Sequence, residues 1–345
     1  MSAADRGADG RDGGCRAGQA AVRPGLFASA HPEAVVVGRG AAPAPSPSAP
    51  ARACRARPHA RDGPCRAGNG LRPMGVGVGG PRLPEAAVPS RRALVRRPSP
   101  RLAEGLVTHV ERTPVDPASA LGQWERYVGA LREHGWDTVE VEPADDCPDG
   151  VFVEDAVVMF RDVALVCRPG APSRRPEVAA VEEAVTRLGC SVRRVRKPGT
   201  LDGGDVLKVG DTVYVGLGGR TNAEGVAQLR AAFEPLGARV VRVPVSRVLH
   251  LKSAVTALPD GTVIGYEPLV EAVSLFPRFR PVPEESGAHV VLLGGGKLLM
   301  AASAPRSAEL LTDLGYEPVV VDIGEFEKLE GCVTCLSVRL RGLRT

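Results

Sequence analysis

The strongest chemical candidate in the sequence is a cysteine near its C-terminal end, Cys335 in the segment GCVTCLS. A thiolate is a good nucleophile, but it needs a neighbouring acid/base and a carboxylate that orients that group. Cys332 lies close by, so the two cysteines could also be a redox pair or half of a structural zinc site. A zinc site needs a second such pair, and the sequence has no other CxxC and no HxxxH. Because an isolated cysteine is most often a small buried residue, other groups must decide its role.

His250 is the best candidate for the acid/base. Polar and apolar residues alternate in LHLKS, which predicts a strand with His250 and Lys252 on its polar face. A histidine there can donate a proton to a leaving amine and then activate water. Asp202 and Asp205 bracket two glycines in LDGGDVL. The glycines signal a tight turn, and they also allow the backbone to approach a ligand closely.

An acidic group stands where a hydrophobic segment begins, with Asp149, Glu154 and Asp155 in DGVFVEDAVV. Carboxylates among apolar neighbours are costly to bury unless a cation pairs with them, and a cationic substrate would supply one. Arg174 in APSRR and Arg220 in GGRTN are either solvated loop residues or bidentate ligands of a carboxylate. The set suits a substrate with a cationic head and an anionic tail, such as an arginine-like amino acid.

One pattern recurs along the chain and would position these groups: a β-hairpin, an amphipathic helix, then a strand. The predicted hairpins cover Val151–Arg168, Asp205–Val215, Ser253–Gly265 and His289–Ala301, the helices Pro176–Leu188, Asn222–Leu236, Pro268–Ser274 and Ser307–Leu314, and the strands Ser191–Arg196, Arg239–Val245 and Glu317–Asp322. The ends of the chain supply a fifth copy, with strands Cys335–Arg341, Ala93–Arg96 and Thr138–Glu142 and a helix at Pro117–His134.

This recurrence predicts an α/β fold of five ββαβ units in a ring, with helices outside and strand ends facing a central cavity. If both chain ends share one unit, no sheet edge stays open. The polar clusters fall at equivalent strand ends of the units. An open α/β sheet is the alternative, although a hairpin in every unit argues against a purely parallel sheet.

Composition divides the 345-residue chain. Residues 1–91 are rich in Ala, Gly, Pro and Arg without apolar periodicity, which predicts a disordered tail or an over-extended gene start with Met74 as the true beginning. Residues 92–345 would form the catalytic domain. The pI near 8.7 comes from the tail and does not indicate nucleic-acid binding. The sequence shows neither a signal peptide nor a membrane-spanning run, and its scattered cysteines predict a reduced, cytoplasmic protein.

Six motifs together resemble the dimethylarginine dimethylaminohydrolase family: FVEDAVV, RPGAPSRR, LDGGDVL, GLGGRTN, LHLKS and GCVTCLSV. They occur in the family's order, and the resemblance covers residues from about 92 to 345. It implies the five-bladed α/β propeller of the guanidino-group-modifying enzymes. It also implies conversion of Nω-methylated arginines, asymmetric dimethylarginine and monomethylarginine, to citrulline and a methylamine. The reaction would pass through a covalent thiouronium intermediate on the cysteine.

The resemblance assigns the roles residue by residue. Cys335 would be the nucleophile, His250 the general acid/base, and Asp202 the residue at the third catalytic position, where some relatives carry the longer Glu. Substrate binding would fall to a second set: Glu154 and Asp155 at the guanidinium, Asp149 at the α-amino group together with the backbone near Leu329, Arg174 and Arg220 at the carboxylate, and Val107 on a lid loop. The shorter Asp202 leaves its contact with His250 in question.

The family requires no cofactor and no metal, although zinc could bind Cys335 as an inhibitor. The expected partner is a small-molecule substrate, with no nucleic acid and no membrane, and the protein would be a monomer or homodimer. Arginine deiminases and other guanidine hydrolases of the same fold are the alternative. Those deiminases usually carry an inserted helical domain for which residues 93–345 leave no room. A third reading is a non-catalytic binding or metal-thiol protein.

Overall fold

The structure is a computed structural model that describes residues 91–341. The predicted tail of residues 1–91 lies outside the described residues except for Arg91, which begins the first strand. Within residues 91–341, no helix combines the length and the apolar character that crossing a membrane would require.

The described chain is a mixed α/β fold of short elements. The strands are β1 (Arg91–Val95), β2 (Asp137–Glu140), β3 (Val157–Phe160), β4 (Val163–Val166), β5 (Ser191–Arg194), β6 (Val206–Val209), β7 (Thr212–Leu217), β8 (Arg239–Pro244), β9 (Val255–Ala257), β10 (Val263–Gly265), β11 (Phe279–Pro281), β12 (Val291–Gly294), β13 (Lys297–Ala301), β14 (Glu317–Val321) and β15 (Val338–Arg341). The α-helices are α1 (Pro117–Glu133), α2 (Val178–Arg187), α3 (Ala223–Phe233), α4 (Pro305–Asp313) and α5 (Gly324–Glu327). Short 3-10 helices cover Leu102–Glu104, Val153–Ala156, Pro172–Glu177, Gly203–Asp205, Glu234–Leu236, Leu251–Ser253, Glu267–Leu269, Val273–Leu275 and Ser286–Ala288.

Within residues 91–341 the strands form five three-stranded sheets with one topology. The strand orders are β3-β4-β5, β6-β7-β8, β9-β10-β11, β12-β13-β14 and β15-β1-β2. In each sheet the first strand in this order is antiparallel to the second, and the second is parallel to the third. The fifth sheet joins both ends of the described chain, as the sequence predicted. We call β3, β6, β9, β12 and β15 the first strands.

Helix α1 holds the turn that carries Cys335. The helix begins where the Asp116 side chain accepts a hydrogen bond from the backbone N–H of Ala118, and it buries Trp124 and Tyr127. The Tyr127 hydroxyl lies 2.9 Å from the carbonyl oxygen of Val333 and 2.7 Å from Ser337 Oγ, on either side of Cys335. Because Tyr127 is fully buried, these contacts fix the turn against the core.

Three predicted elements were wrong. The segment around His250 is not an alternating strand, because His250 precedes the 3-10 helix Leu251–Ser253. Cys335 lies in a turn in which its N–H donates to Cys332, and β15 begins only at Val338. The third unit has no α-helix between β10 and β11, only two 3-10 helices. Val270, with φ −94° and ψ 113°, is extended and ends the first of these 3-10 helices.

These corrections reveal a common position for the candidate residues. A 3-10 helix or a turn precedes each of the first strands β3, β6, β9 and β15, and the chemical groups lie there: Glu154 and Asp155, then Asp202 and Asp205, then His250, then Cys335. A strand alternates its side chains between two faces, whereas a tight helical turn directs neighbouring side chains to different sides.

Candidate active site

A small pocket lies where these turns meet. Its lining residues are Leu106, Asp149, Phe152, Asp155, Arg174, Arg220, Leu249, His250, Leu329, Glu330, Gly331 and Cys335. The structure therefore brings together seven of the ten candidate residues from the sequence. Glu154, Asp202 and Val107 are not in the lining. The free volume of about 10 Å³ holds about one water molecule, so a substrate of amino-acid size must displace some of the lining side chains.

His250 is held between two carboxylates. Its Nε2 lies 3.0 Å from Asp202 Oδ2, and its Nδ1 lies 3.8 Å from Asp155 Oδ1. Burial, the largest single influence, lowers the pKa of His250, but the charges of Asp155, Asp202 and Asp205 outweigh it and raise the pKa to about 9. The imidazole is therefore protonated at neutral pH and can act as a proton donor.

Asp202 reaches His250 directly despite its short side chain. It is completely buried, and its second oxygen, Oδ1, accepts a hydrogen bond of 2.8 Å from the N–H of Gly170. Asp205 supports the same segment, because its Oδ1 accepts a hydrogen bond of 2.9 Å from the N–H of Leu251. Burial raises the pKa of Asp205 to about 6.

The glycine pair of LDGGDVL is required by close packing. A Cβ atom on Gly204 would lie 2.6 Å from His250 Nδ1 and 2.7 Å from Asp155 Oδ1, and one on Gly203 would overlap the carbonyl oxygen of Glu154. The N–H of Gly204 also donates to Asp155 Oδ1 over 2.8 Å. The two glycines therefore do more than form the predicted tight turn, because they also let the backbone approach His250 and Asp155 closely.

Replacing Gly204 with alanine should lower kcat/KM by roughly 10²-fold, because the new Cβ must displace His250 or Asp155 by a large fraction of an ångström. Steady-state kinetics on the purified variant measure this. Gly129→Ala is the matched control, since a Cβ there meets no atom within 4 Å, and it should retain wild-type activity. Full activity of Gly204→Ala would mean that catalysis does not depend on this placement of His250.

Arg174 forms ion pairs with two carboxylates, those of Asp155 and Glu177. Its Nη1 lies 2.6 Å from Asp155 Oδ2, its Nε and Nη2 contact Glu177, and Nη2 also donates to the carbonyl oxygens of Asp149 and Phe152. A guanidinium has five N–H donors, so one N–H of Nη1 is left for a ligand. The charges of His250 and Arg174 overcome burial and keep the pKa of Asp155 well below its usual value. Asp155 is therefore an anion facing the pocket.

Asp149 and Arg220 connect the pocket to the segment that follows Gly105. The N–H of Leu106 donates to Asp149 Oδ1 over 3.0 Å, and burial raises the pKa of Asp149. Arg220 Nη2 lies 3.3 Å from Thr108 Oγ1, and its buried Nη1 has no hydrogen-bond partner within the described residues but lies 3.8 Å from Asp202 Oδ2 in an ion pair. Arg220 thus keeps N–H donors without a hydrogen bond beside the pocket, next to the carboxylate that orients His250.

The sequence reasoning missed two residues at this edge of the pocket. Leu106, rather than the neighbouring Val107, lines it, while Val107 packs against the core. Glu330 accepts hydrogen bonds from the N–H groups of Thr108 and His109, at 2.6 and 2.8 Å, and so holds the segment over the pocket. Glu330 has a φ of 60°, which is unusual for a non-glycine residue, but no sequence signal marks it.

Glu154 and Lys252 lie away from this pocket. Glu154 Oε1 lies 2.6 Å from Lys252 Nζ and 2.8 Å from Arg339 Nη2, and all three residues line a different cavity. The prediction that His250 and Lys252 share one face was therefore wrong, since one lines the pocket and the other the second cavity.

The two cysteines of GCVTCLS are in contact. Their sulfur atoms lie 3.3 Å apart, and Cys332 Sγ also lies 3.2 Å from Thr334 Oγ1. The hydrogen bond between the sulfurs lowers the pKa of Cys332 to about 5 and raises that of Cys335 well above its usual value. Cys335 is 6% exposed and keeps its proton in the unliganded protein, so it requires a nearby cation to become a thiolate.

One group within residues 91–341 has three donor atoms spaced for a metal ion. The atoms belong to Asp155, Asp202 and His250 and lie within 4.8 Å of one another. All three residues already hydrogen-bond or pair with each other or with neighbours, which accounts for their proximity without a metal. Cys335 is not in this group, so zinc inhibition at Cys335 stays a prediction.

Comparison with known proteins relates this pocket to a reaction. No family model matches the chain. An N(G),N(G)-dimethylarginine dimethylaminohydrolase of Streptomyces coelicolor is 79% identical over 256 residues, which is 74% of this chain and 99% of that protein. The protein of that name from Pseudomonas aeruginosa is 36% identical over 253 residues, 71% of this chain and 98% of that protein.

A solved structure agrees with these sequence matches. The Pseudomonas aeruginosa enzyme, as a cysteine-to-serine mutant complexed with citrulline, superposes with a TM-score of 0.68 at 34% identity. The match covers 73% of this chain and all of the citrulline-bound structure. For a second solved structure of a dimethylarginine dimethylaminohydrolase, the match covers 72% of this chain. The mixed α/β fold predicted from the sequence is thus confirmed.

Proposed function

The chain belongs to the dimethylarginine dimethylaminohydrolase family, and we propose how its own residues carry out that family's reaction. The protein is a hydrolase that converts methylated arginines to citrulline, through a covalent intermediate on a cysteine. The observation that carries this function is the 79% identity over essentially the whole of a named relative. The pocket supports it, because its lining contains the anion Asp155 and arginines that keep N–H donors without a hydrogen bond.

Asp155 binds the substrate guanidinium in this proposal. It is a buried anion in the pocket lining, and its partners Arg174 and the N–H of Gly204 fix its position. Glu154 was predicted to share this contact, but its carboxylate is paired with Lys252 and Arg339, so we propose that it supports the site through these pairs. The bound cation lies beside Cys335 and favours its ionised form.

Catalysis then proceeds in two steps. The Cys335 thiol loses its proton to solvent, and the thiolate attacks the guanidinium carbon. The carbon–nitrogen bond to the methylated nitrogen breaks as His250 donates its proton to the departing amine, leaving a thiouronium on Cys335. The neutral His250 next takes a proton from water, which attacks the same carbon. The carbon–sulfur bond breaks with its electron pair returning to the Cys335 sulfur, the remaining hydroxyl proton passes to that thiolate, and neutral citrulline leaves. Asp202 orients the imidazole in both steps.

The amino-acid end of the substrate fits the opposite side of the pocket. Asp149 and a backbone carbonyl near Leu329 would bind the α-ammonium, and Arg220 would bind the α-carboxylate with its unused Nη1 donors. Arg174 can add its one remaining Nη1 donor. Val107 would contact the ligand only when the segment around Leu106 and Thr108 closes over it.

Replacing Arg220 with glutamine should raise KM by roughly 10- to 10²-fold, because a charge-assisted hydrogen bond to the carboxylate is lost. Steady-state kinetics with methylated arginine measure the change. The matched control is a methylated guanidine of the same chain length without the carboxylate, for which wild type and variant should be equal. An equal loss with both substrates would show that Arg220 does not bind the carboxylate.

We further propose that residues 92–345 form one catalytic domain built as a five-bladed propeller, with residues 1–91 as a separate tail. Five sheets of identical topology support this, as does a cavity lined by residues from the first strands of all five sheets. The proposed assembly is a monomer or homodimer in the cytoplasm.

The function is tested by measuring citrulline release from asymmetric dimethylarginine, monomethylarginine and arginine with the purified protein. We expect kcat/KM for at least one methylated arginine to exceed that for arginine by about 10²-fold or more, a discrimination that a fitted pocket can supply. Faster turnover of arginine would instead assign the protein to the arginine deiminases, the alternative considered from the sequence.

A further inference from the structure

A second cavity, which we call the strand cavity, lies among the first strands. It has a volume of about 230 Å³ and is lined by residues from β3, β6, β9, β12 and β15. None of its lining residues belongs to the lining of the active-site pocket. Its volume would hold several water molecules or an oxyanion with part of its hydration shell.

The charges in the lining of the strand cavity are unbalanced. The charged residues in the lining are the cations Arg161, Lys208, Lys252, Arg339 and Arg341 and one anion, Glu154. Glu154 pairs with two of them, since its Oε1 lies 2.6 Å from Lys252 Nζ and 2.8 Å from Arg339 Nη2, but its single negative charge offsets only one. Arg161 has a distant partner in Asp211, at 3.6 Å.

Two of these cations have only neutral partners. Lys208 Nζ donates to the carbonyl oxygen of Met159 over 2.6 Å, and Arg341 Nη2 donates to that of Leu292 over 3.0 Å. No carboxylate of residues 91–341 forms an ion pair with either side chain. Each side chain keeps further N–H donors, because an ammonium has three and a guanidinium five.

This crowding of positive charge has an energetic cost. Burial, followed by the charges of Lys252 and Arg339, lowers the pKa of Lys208 to about 7, and burial and Arg339 also lower the pKa of Arg341. Lys208 and Arg341 are both exposed residues, so the strand cavity is open to solvent at these two side chains. An anion among these groups would remove the repulsion.

We propose that the strand cavity is a binding site for a small oxyanion, with inorganic phosphate as its representative ligand. Lys208 and Arg341 donate the direct hydrogen bonds to the phosphate. Lys252 and Arg339, which both pair with Glu154, add positive charge nearby. The planar guanidinium of arginine and the compact ammonium of lysine are a common combination for binding phosphate oxygens.

Proton uptake distinguishes this site from a general attraction to positive charge. At pH 8 a lysine with a pKa of about 7 is mostly neutral, and an adjacent phosphate would restore its proton. Binding at pH 8 should therefore be accompanied by net proton uptake.

The test is isothermal titration calorimetry of the full-length protein with sodium phosphate at constant ionic strength. It is run at pH 8 in two buffers of different ionisation enthalpy, whose difference in heat gives the protons taken up. We expect one phosphate per chain. Lys208→Gln should weaken binding at least about tenfold and abolish proton uptake, and Arg341→Gln should weaken binding by a similar factor.

Two controls locate the bound phosphate. Arg126→Gln removes an exposed arginine on α1 outside the cavity lining and should bind as the wild type does. Arg220→Gln removes the unused donor of the active-site pocket and should also leave phosphate binding unchanged. Absence of saturable binding at constant ionic strength would overturn the proposal. So would binding that survives both cavity variants, or binding that Arg220→Gln abolishes. Thermal unfolding of each variant without phosphate identifies any that fail to fold.

Discussion

Cys335→Ser should lower kcat for methylated arginines by at least about 10⁴-fold while the protein stays folded. A serine hydroxyl is a much weaker nucleophile than a thiolate, and no group in the pocket is free to take its proton, because His250 is already protonated. The hydroxyl is smaller than the thiol and can keep the hydrogen bond to Cys332, so the turn should survive. Citrulline release measures the loss, and thermal unfolding verifies the fold.

Cys332→Ser is the matched control, since it changes the neighbouring sulfur, 3.3 Å away, by the same chemistry. In the unliganded protein Cys332 has the lower pKa of the two, so the control asks whether acidity or position selects the nucleophile. Cys335 lines the pocket and Cys332 does not, and position should therefore decide. We expect Cys332→Ser to keep activity within about tenfold of wild type. The reverse pattern would transfer the nucleophilic role to Cys332.

His250→Asn should lower kcat by roughly 10²- to 10⁴-fold, the usual contribution of a general acid/base. Asparagine can still hydrogen-bond to Asp202 and leaves the pocket polar, but it cannot transfer a proton to the amine. A covalent intermediate should form slowly if at all, because the first carbon–nitrogen cleavage needs that proton. Rapid-quench mass spectrometry of the variant with substrate tests this point. Accumulation of the thiouronium at the wild-type rate would show that His250 acts only in the second step.

The pH dependence of kcat/KM gives a second test of the role of His250 as a proton donor. Its pKa is raised to about 9, so the protonated form that donates to the leaving group is present at neutral pH and is lost as the pH rises through 9. The Cys335 thiol has the higher pKa of the two groups and must lose its proton to attack, so kcat/KM, which reports groups of the free enzyme, should rise with pH and level off near pH 9, where His250 begins to lose the proton that it donates. In His250→Asn the rise should continue through pH 9. A wild-type profile that levels off near 6.5, the ordinary histidine value, would contradict the effect of Asp155 and Asp202.

Much of the fold follows from local patterns in the sequence. Turn residues such as Gly210 and the Asp260-Gly261 pair mark hairpins, and apolar spacings of three and four mark the helices, because both depend on neighbours within a few residues. The helix predicted in the third unit was wrong, since a segment of about two turns has little helical stability of its own and packing decides its conformation. What these patterns could not specify is the 3-10 turns ahead of the first strands, whose side chains follow no simple period.

The sequence by itself determined which candidate groups this protein has for chemistry: Cys335 as nucleophile, His250 as acid/base, and carboxylates and arginines in motifs typical of a guanidine hydrolase. Only the tertiary structure decided which of them meet. His250 and Asp202 are 48 residues apart and touch at 3.0 Å, whereas Glu154, next to Asp155 in sequence, belongs to a different cavity. The physical reason is that a 3-10 turn, with three residues per turn, directs adjacent side chains about 120° apart, and only long-range packing of the five sheets brings distant turns together. The same packing brings Cys335 into contact with Cys332 and, within residues 91–341, leaves Lys208 and Arg341 without an ion-pair partner, and no spacing in the sequence indicates either result.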